Sequence, residues 1–377
     1  MRQRAIATAC VLAALALSLY INHSGSPLND DERTLVGEAR TIGTSTPLFF
    51  QVADDRWLPA APVYATALVH ALGGGDRSGR IASAFVGAAD VVLVYVAVGL
   101  LAPEWIAVAS AVLLLVTPVH AWFAQLGTGT LFPAPFVLLW LIAMLRFIRH
   151  DAAPALAGAA LALGVGVYTH PAAPLTMAWL WMISLIAVIV WRLTTRNLIV
   201  LCGVSAIVLA PLTIWFLLHP STYPDTFGRW ALFPAHARFP LDGLRAQVNW
   251  NTVGNRSSIV WGLFDPSFLF FAGDGQRVAP FLACSSALVL LGVARVLTDL
   301  QPMQRLLVLA AVVVPPVIAS TFSQSHDLSM TSPLVAMASV TAGAGLASLS
   351  SRSRAWIVVV ALTLAISALQ VWTLYYA

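Results

Sequence analysis

The sequence predicts an all-α polytopic membrane protein of about eleven transmembrane helices with two long outer loops. Three observations carry that reading. Apolar runs near 20 residues recur along the 377-residue chain. Only 10% of residues are charged while 59% are hydrophobic, and mean hydropathy is +0.84. The arginines also fall unevenly between alternate connections. A bilayer core of roughly 30 Å demands about 20 apolar residues of each helix, and a backbone in hydrocarbon must satisfy its own hydrogen bonds. A barrel would show shorter, alternating strands, and no such alternation is present.

The expected spans are 5–21, 80–101, 104–120, 131–148, 153–170, 174–191, 197–218, 279–298, 303–321, 332–349 and 355–374. Segment 59–72 is apolar but short and carries Pro59 and Pro62, so it is expected as an interfacial or re-entrant helix. Segment 1–21 also has the basic start, apolar centre and small residues of a signal peptide; either reading leaves the following loop outside.

Orientation follows from the arginines. With the N-terminus inside, the inner side holds ten arginines against three acids, Glu104, Asp151 and Asp299. The outer side holds ten arginines and twelve acids, and Asp90 lies within a span. The two long outer segments, 22–79 and about 219–278, leave no inner loop large enough for a domain. Chemistry is therefore expected on the outer face, out of reach of ATP and nucleotide sugars. The sequence pI near 9 does not indicate nucleic acid, because the arginines are scattered and half of them end membrane helices.

Cys10, Cys202 and Cys284 sit in separate apolar runs without metal-ligand spacing and read as small buried hydrophobes. The cofactor stays unknown: a divalent metal is compatible, but no ligand motif supports one. The chain contains no lysine, a compositional hint of a GC-rich bacterial genome. Nucleotide-binding, nucleophile-elbow and zinc-protease motifs are absent, and the glycines of "LGVGVYTH" and "AGAGLAS" read as helix contacts.

Four of the 16 acids (Asp30, Asp31, Glu32 and Glu38) fall within nine positions after the first apolar run. Asn29 or Asp30 can cap a helix there, and acids in its first turn suit the dipole. Leu35, Val36, Ala39 and Ile42 give it an apolar stripe. The acids are then either a solvated first turn or include a carboxylate facing a membrane-level cavity as general base. Seven of the eight histidines fall on the outer side, and His120, His170 and His326 end spans that can converge. Asp90 is open to three readings: functional, paired with a neighbouring helix, or protonated. The second loop, "NWNTVGNRSSIVWGLFDPSFLFFAGDGQR", is either an amphipathic lipid-resting loop or a phosphate-meeting one, through Arg256 and Arg277.

Taken in order, these stretches resemble the GT-C type of membrane glycosyltransferase, in the bacterial branch similar to protein O-mannosyltransferases. The Asp31–Glu32 pair matches the acid pair opening the family's first outer loop. "PAAPVYATALVHALGGGDRSGR", "TPVHAWFAQ", "YTHPAAPL", "DPSFLFFAGDGQR" and "PPVIASTFSQSHDLS" follow in the family's order. The resemblance implies a polyprenyl-phosphate-linked sugar as donor, a bacterial inner-membrane location and an outer acceptor of unknown kind (glycan, glycolipid or protein). It implies Asp31, with Glu32 beside it, as catalytic acids and inverting displacement. Asp30, His120, Tyr168, His170, Arg256, Asp274, Arg277 and His326 become candidate substrate-binding residues; no metal site is implied. Three family features are missing: an acid in "LGTGTLFPA", a His after "GDGQR", and an Arg after His326, where Asp327 stands. A lipid flippase or transporter, or an inactive membrane partner, are the alternatives.

Overall fold

The structure is a computed structural model. It describes residues 27–42, 47–53, 56–150, 152–191, 193–222, 253–271, 279–283, 285–323 and 327–352, with single positions 358, 362 and 365 beyond. The expected first span, nearly all of the last, Asp274, Arg277 and His326 lie outside the described residues.

The chain opens with α1 (Asp30–Thr41), then a short antiparallel hairpin of β1 (Phe49–Ala53) and β2 (Arg56–Pro59). The hairpin departs from the all-helical expectation. Its register pairs Phe50 with Leu58 and Gln51 with Trp57. Phe49 meets Trp215 and Phe216 at 6.0 and 5.9 Å between ring centroids, which ties the hairpin to the C-terminal end of a later helix.

α2 (Ala60–Val69) confirms a separate helix in the 59–72 segment. A turn follows with Gly73 at φ 95° and Gly75 at φ 57°, a conformation costly for any residue with a Cβ. The chain then enters α3 (Ser78–Gly99). The helices α4 (Glu104–Leu115), α5 (Pro118–Gln125), α6 (Pro133–His150), α7 (Ala153–Gly166), α8 (Ala173–Trp191) and α9 (Thr195–Leu218) follow. Later in the chain come α10 (Val253–Leu263), α11 (Pro266–Phe270), α12 (Ser285–Thr298), α13 (Pro302–Ala319) and α14 (Ser332–Arg352).

Among the described residues, six helical stretches are long and apolar enough to cross a membrane: Ala60–Gly99, α6, α8, α9, α13 and Leu328–Ser350. The pair α4–α5 makes a seventh if taken as one span bent by 60°. Nine of the eleven expected spans fall on described residues, and for these the count is corrected to six or seven. The break falls at Thr117, because a residue before proline is pushed out of the α region, and Thr117 is extended at ψ 122°. α7 and α12 have only 14 residues each, about 21 Å at 1.5 Å per residue, and fall short of a 30 Å core.

The core is packed around α6, whose Trp140, Leu141, Met144 and Phe147 are fully buried. α3, α7, α13 and α14 pack on it. α9 presents Ile199, Ile207, Ile214 and Leu217 outward, the apolar exterior a lipid-facing helix requires. "LGVGVYTH" does serve helix contact: a Cβ on Gly164 would stand 2.6 Å from Val208 of α9. In "AGAGLAS", a Cβ on Gly345 would overlap the Leu288 carbonyl of α12.

Candidate functional site

α1 starts at a complete capping box. Asn29 Oδ1 accepts from the Glu32 backbone N–H at 2.8 Å, and the Glu32 carboxylate accepts from Asn29 N–H at 2.9 Å. Such reciprocal caps satisfy donors that a helix start leaves orphaned. The box fixes the rotation of α1. Leu35 and Ala39 then bury against Ala60 and Val63 of α2, and Val36 is buried beside them.

That rotation separates the acids. Glu32 is 1% exposed. Its Oε1 accepts from Arg80 Nε at 2.8 Å and from Gly127 N–H at 2.9 Å, while Oε2 accepts from Arg80 Nη2 at 2.8 Å. Arg80 Nη2 also donates to the Pro27 carbonyl at 3.0 Å. Burial alone would raise the Glu32 pKa, but hydrogen bonds from Arg80, Gly127 and Asn29 outweigh it and leave the carboxyl below its usual 4.5. Bidentate, charge-assisted pairs of this kind are among the strongest and most directional. With both oxygens engaged, Glu32 locks α1 to α3 and to the loop after α5. This places Glu32 behind the cavity wall rather than at a reacting atom. Asp30 is exposed and pairs with Arg33 at 3.1 Å, which is the solvated first turn.

Asp31 takes the other direction. It lines an open cavity of 390 Å³ together with Asn29 and Leu35 of the same helix region. Trp57, Pro59 and Pro62 from β2 and α2 form a second wall. Phe123, Leu126, Thr128 and Thr130 close a third side, and Thr169, His170, Ser329 and Met330 a fourth. Ligand pockets of roughly 300–1,000 Å³ with a mostly apolar wall and few polar groups suit small substrates. Among the described lining residues, only Asp31 and His170 are titratable. The loop "LGTGTLFPA", which lacks the family's acid, supplies Gly127 N–H to Glu32 and two threonine hydroxyls, 2.8 Å apart, to the wall.

His170 sits in the turn between α7 and α8. Its Nδ1 accepts from Ala172 N–H at 3.2 Å. Burial lowers its pKa to about 4, against the opposing field of Asp327. Tyr168 lies behind it: its hydroxyl donates to the Val208 carbonyl at 3.0 Å, and its own carbonyl accepts from Ala61 N–H at 3.0 Å. Tyr168 thus fixes the turn that carries His170 and is not itself among the described lining residues.

The structure separates His120 and Arg256 from this cavity. His120 is buried on α5, its Nε2 4.0 Å from Asp90 Oδ2; neither group has a hydrogen bond among the described residues. Arg256 is buried on α10, and its Nη1 donates to the Ser320 and Ser323 carbonyls at 2.7 and 2.6 Å. It binds the chain leaving α13, where cations suit the helix dipole, instead of facing the cavity. Arg80, Gly127, Trp57, Thr128 and Thr130 were not expected as site residues. Arg80 had one signal, its place at the start of an apolar span. Among the described residues no group of three His, Cys, Asp or Glu side chains can hold a metal ion.

Residues 59–215 match the family model described as dolichyl-phosphate-mannose-protein mannosyltransferase. No curated protein matches the chain. Its fold is similar to that of the archaeal oligosaccharyltransferase AglB from Archaeoglobus fulgidus, solved with an inhibitory peptide and a dolichol-phosphate. That match has TM-score 0.63 and 10% identity, covering 99% of this chain and 55% of AglB. It is also similar to ArnT from Cupriavidus metallidurans in the apo state, with TM-score 0.61 and 17% identity, covering 90% of this chain and 59% of ArnT. The chain thus spans little more than half the length of these solved structures. The resemblance drawn from the motifs is borne out by the family segment and the fold.

Proposed function

We propose that this chain is a GT-C type membrane glycosyltransferase that moves a sugar from a polyprenyl-phosphate donor to an acceptor hydroxyl. The observation that carries the reading is Asp31, the one carboxylate among the described lining residues, held on the cavity wall by a buried ion pair one residue away. The matched family segment and the AglB fold, solved with dolichol-phosphate, support a donor of this kind.

In this reading Asp31 accepts the proton of the acceptor hydroxyl as its oxygen attacks the anomeric carbon. The bond from that carbon to the phosphate oxygen breaks, the electron pair leaves with polyprenyl phosphate, and the configuration inverts. A positioned base contributes on the order of 10²–10⁴-fold, and alignment of the two reactants supplies more. Glu32 serves as the positioning partner. Arginine placement supports an N-terminus inside and the cavity outside, and the family resemblance supports a bacterial inner membrane.

Reconstituted protein given undecaprenyl-phosphate-linked mannose labelled in the sugar separates the function classes. Release or transfer of the labelled sugar supports the enzyme. Movement of intact lipid between leaflets without bond cleavage supports a flippase, and neither event supports an inactive partner.

A further inference from the structure

We infer that His170, in its Nε2–H tautomer, is a neutral hydrogen-bond donor to an oxygen of the transferred sugar, forming with Trp57 a sugar subsite in the cavity that Asp31 also lines. The inference rests on the glycosyl-transfer reading and names the part of the donor that this wall recognises.

The tautomer follows from geometry. A neutral imidazole carries one N–H and one acceptor nitrogen. Nδ1 accepts from Ala172 N–H, so the ring proton is on Nε2. Asp327, the nearby charge, is engaged: its two oxygens accept from Ser329 N–H at 2.8 Å and Ser329 Oγ–H at 2.5 Å. No acceptor for Nε2–H exists among the described residues, although His170 lines the cavity. The lowered pKa keeps that donor uncharged at neutral pH.

Trp57 completes the subsite. It lines the same cavity and stands edge-on to Trp215, centroids 6.4 Å apart at 83°. Its Nε1–H is buried without a hydrogen-bond partner among the described residues. The flat indole also offers an apolar face to the carbon skeleton of a sugar. A pole of phosphate charge calls for cations or charge-assisted donors. The described wall instead offers neutral donors and the hydroxyls of Thr128, Thr130 and Ser329. Neutral donors of fixed geometry discriminate hydroxyl patterns well, because the wrong pattern leaves them unpaired.

The test compares binding of undecaprenyl phosphate with that of undecaprenyl-phosphate-linked mannose, glucose and arabinose, in detergent, for wild type, His170→Ala, His170→Gln and His170→Asn. The Gln amide N–H reaches the position of Nε2–H; the Asn amide reaches that of Nδ1. His170→Ala is expected to weaken the preferred sugar lipid about tenfold, the loss of one hydrogen bond, while leaving undecaprenyl phosphate unchanged. His170→Gln should recover most of that loss and His170→Asn should not. Equal loss for both lipids assigns His170 to the phosphate and overturns the inference, as does undiminished sugar-lipid binding by His170→Ala or equal rescue by Asn. Wild-type protein that binds no sugar lipid better than undecaprenyl phosphate overturns the glycosyl-transfer reading itself. Because Gln and Asn variants are read side by side with the phosphate control, a folding defect in His170→Ala does not decide the outcome.

Discussion

Between Asp31 and Glu32 the helix turns through about 100°, so adjacent acids cannot share a face. One carboxylate reaches the cavity and the other the Arg80 guanidinium, 48 residues away. The acid pair was legible in the sequence; the division of labour was not, because Glu32's partners come from α3 and the loop after α5. Breaking a buried ion pair leaves an uncompensated charge and costs about 3–5 kcal/mol. Glu32→Gln is therefore expected to lower thermal stability in detergent by that order. Glu32→Gln combined with Arg80→Met should recover a large part, since no charge is then stranded. An unchanged melting temperature for Glu32→Gln would contradict the lock.

The pH dependence at this scale has a defined sign. Glu32 has a folded pKa below its ordinary 4.5, so its contribution is full above 4.5 and is lost as pH falls through the folded value. His170 also has a lowered folded pKa, about 4 against an ordinary 6.5. Its unfolded form takes up a proton first, so its stabilising effect is complete above about 6.5 and declines from there to about pH 4. Melting temperatures of wild type and His170→Gln should run parallel above pH 7 and converge or cross between 6.5 and 4. Parallel curves across that whole window would show that the ring is not held neutral.

At the scale of elements, apolar runs were easy to find and hard to count. α6, α8, α9 and α13 follow the expected spans 131–148, 174–191, 197–218 and 303–321 within two residues at each end. The 104–120 run is continuous in hydropathy but broken at Thr117–Pro118, and 153–170 and 279–298 include turn residues that hydropathy counts as helix. The hairpin went unread because only five and four residues form it, supported by aromatic contacts with α9. The glycine reading held at α12–α14. Gly292 and Gly345 let these helices touch backbone to backbone, and a Cβ on either overlaps a carbonyl of the partner helix. Overpacking costs about 1–3 kcal/mol where side chains can adjust. Here the obstacle is backbone, so Gly345→Ala is expected to cost at least the upper end of that range. Gly203→Ala, where a Cβ meets nothing within 4 Å, serves as control. Equal melting temperatures for the two variants would contradict the close packing.

Across the whole molecule, the sequence carried the class of fold but not its three-dimensional convergence. The order of motifs led to the GT-C resemblance, and the similarity to AglB and ArnT agrees with it. What linear order could not convey is that α1, β2, the loop after α5, the α7–α8 turn and the segment before α14 meet around one hollow. Nor could it show that His120 and Arg256 are held away from that hollow by their own packing. Asp31 is the one carboxylate among the described residues of that hollow. The most direct test of its role as base is the rate of sugar release from labelled undecaprenyl-phosphate-linked mannose by reconstituted wild type and Asp31→Asn, with folding matched by melting temperature. The expected result is a loss on the order of 10²–10⁴-fold at unchanged stability; undiminished turnover by Asp31→Asn would contradict it.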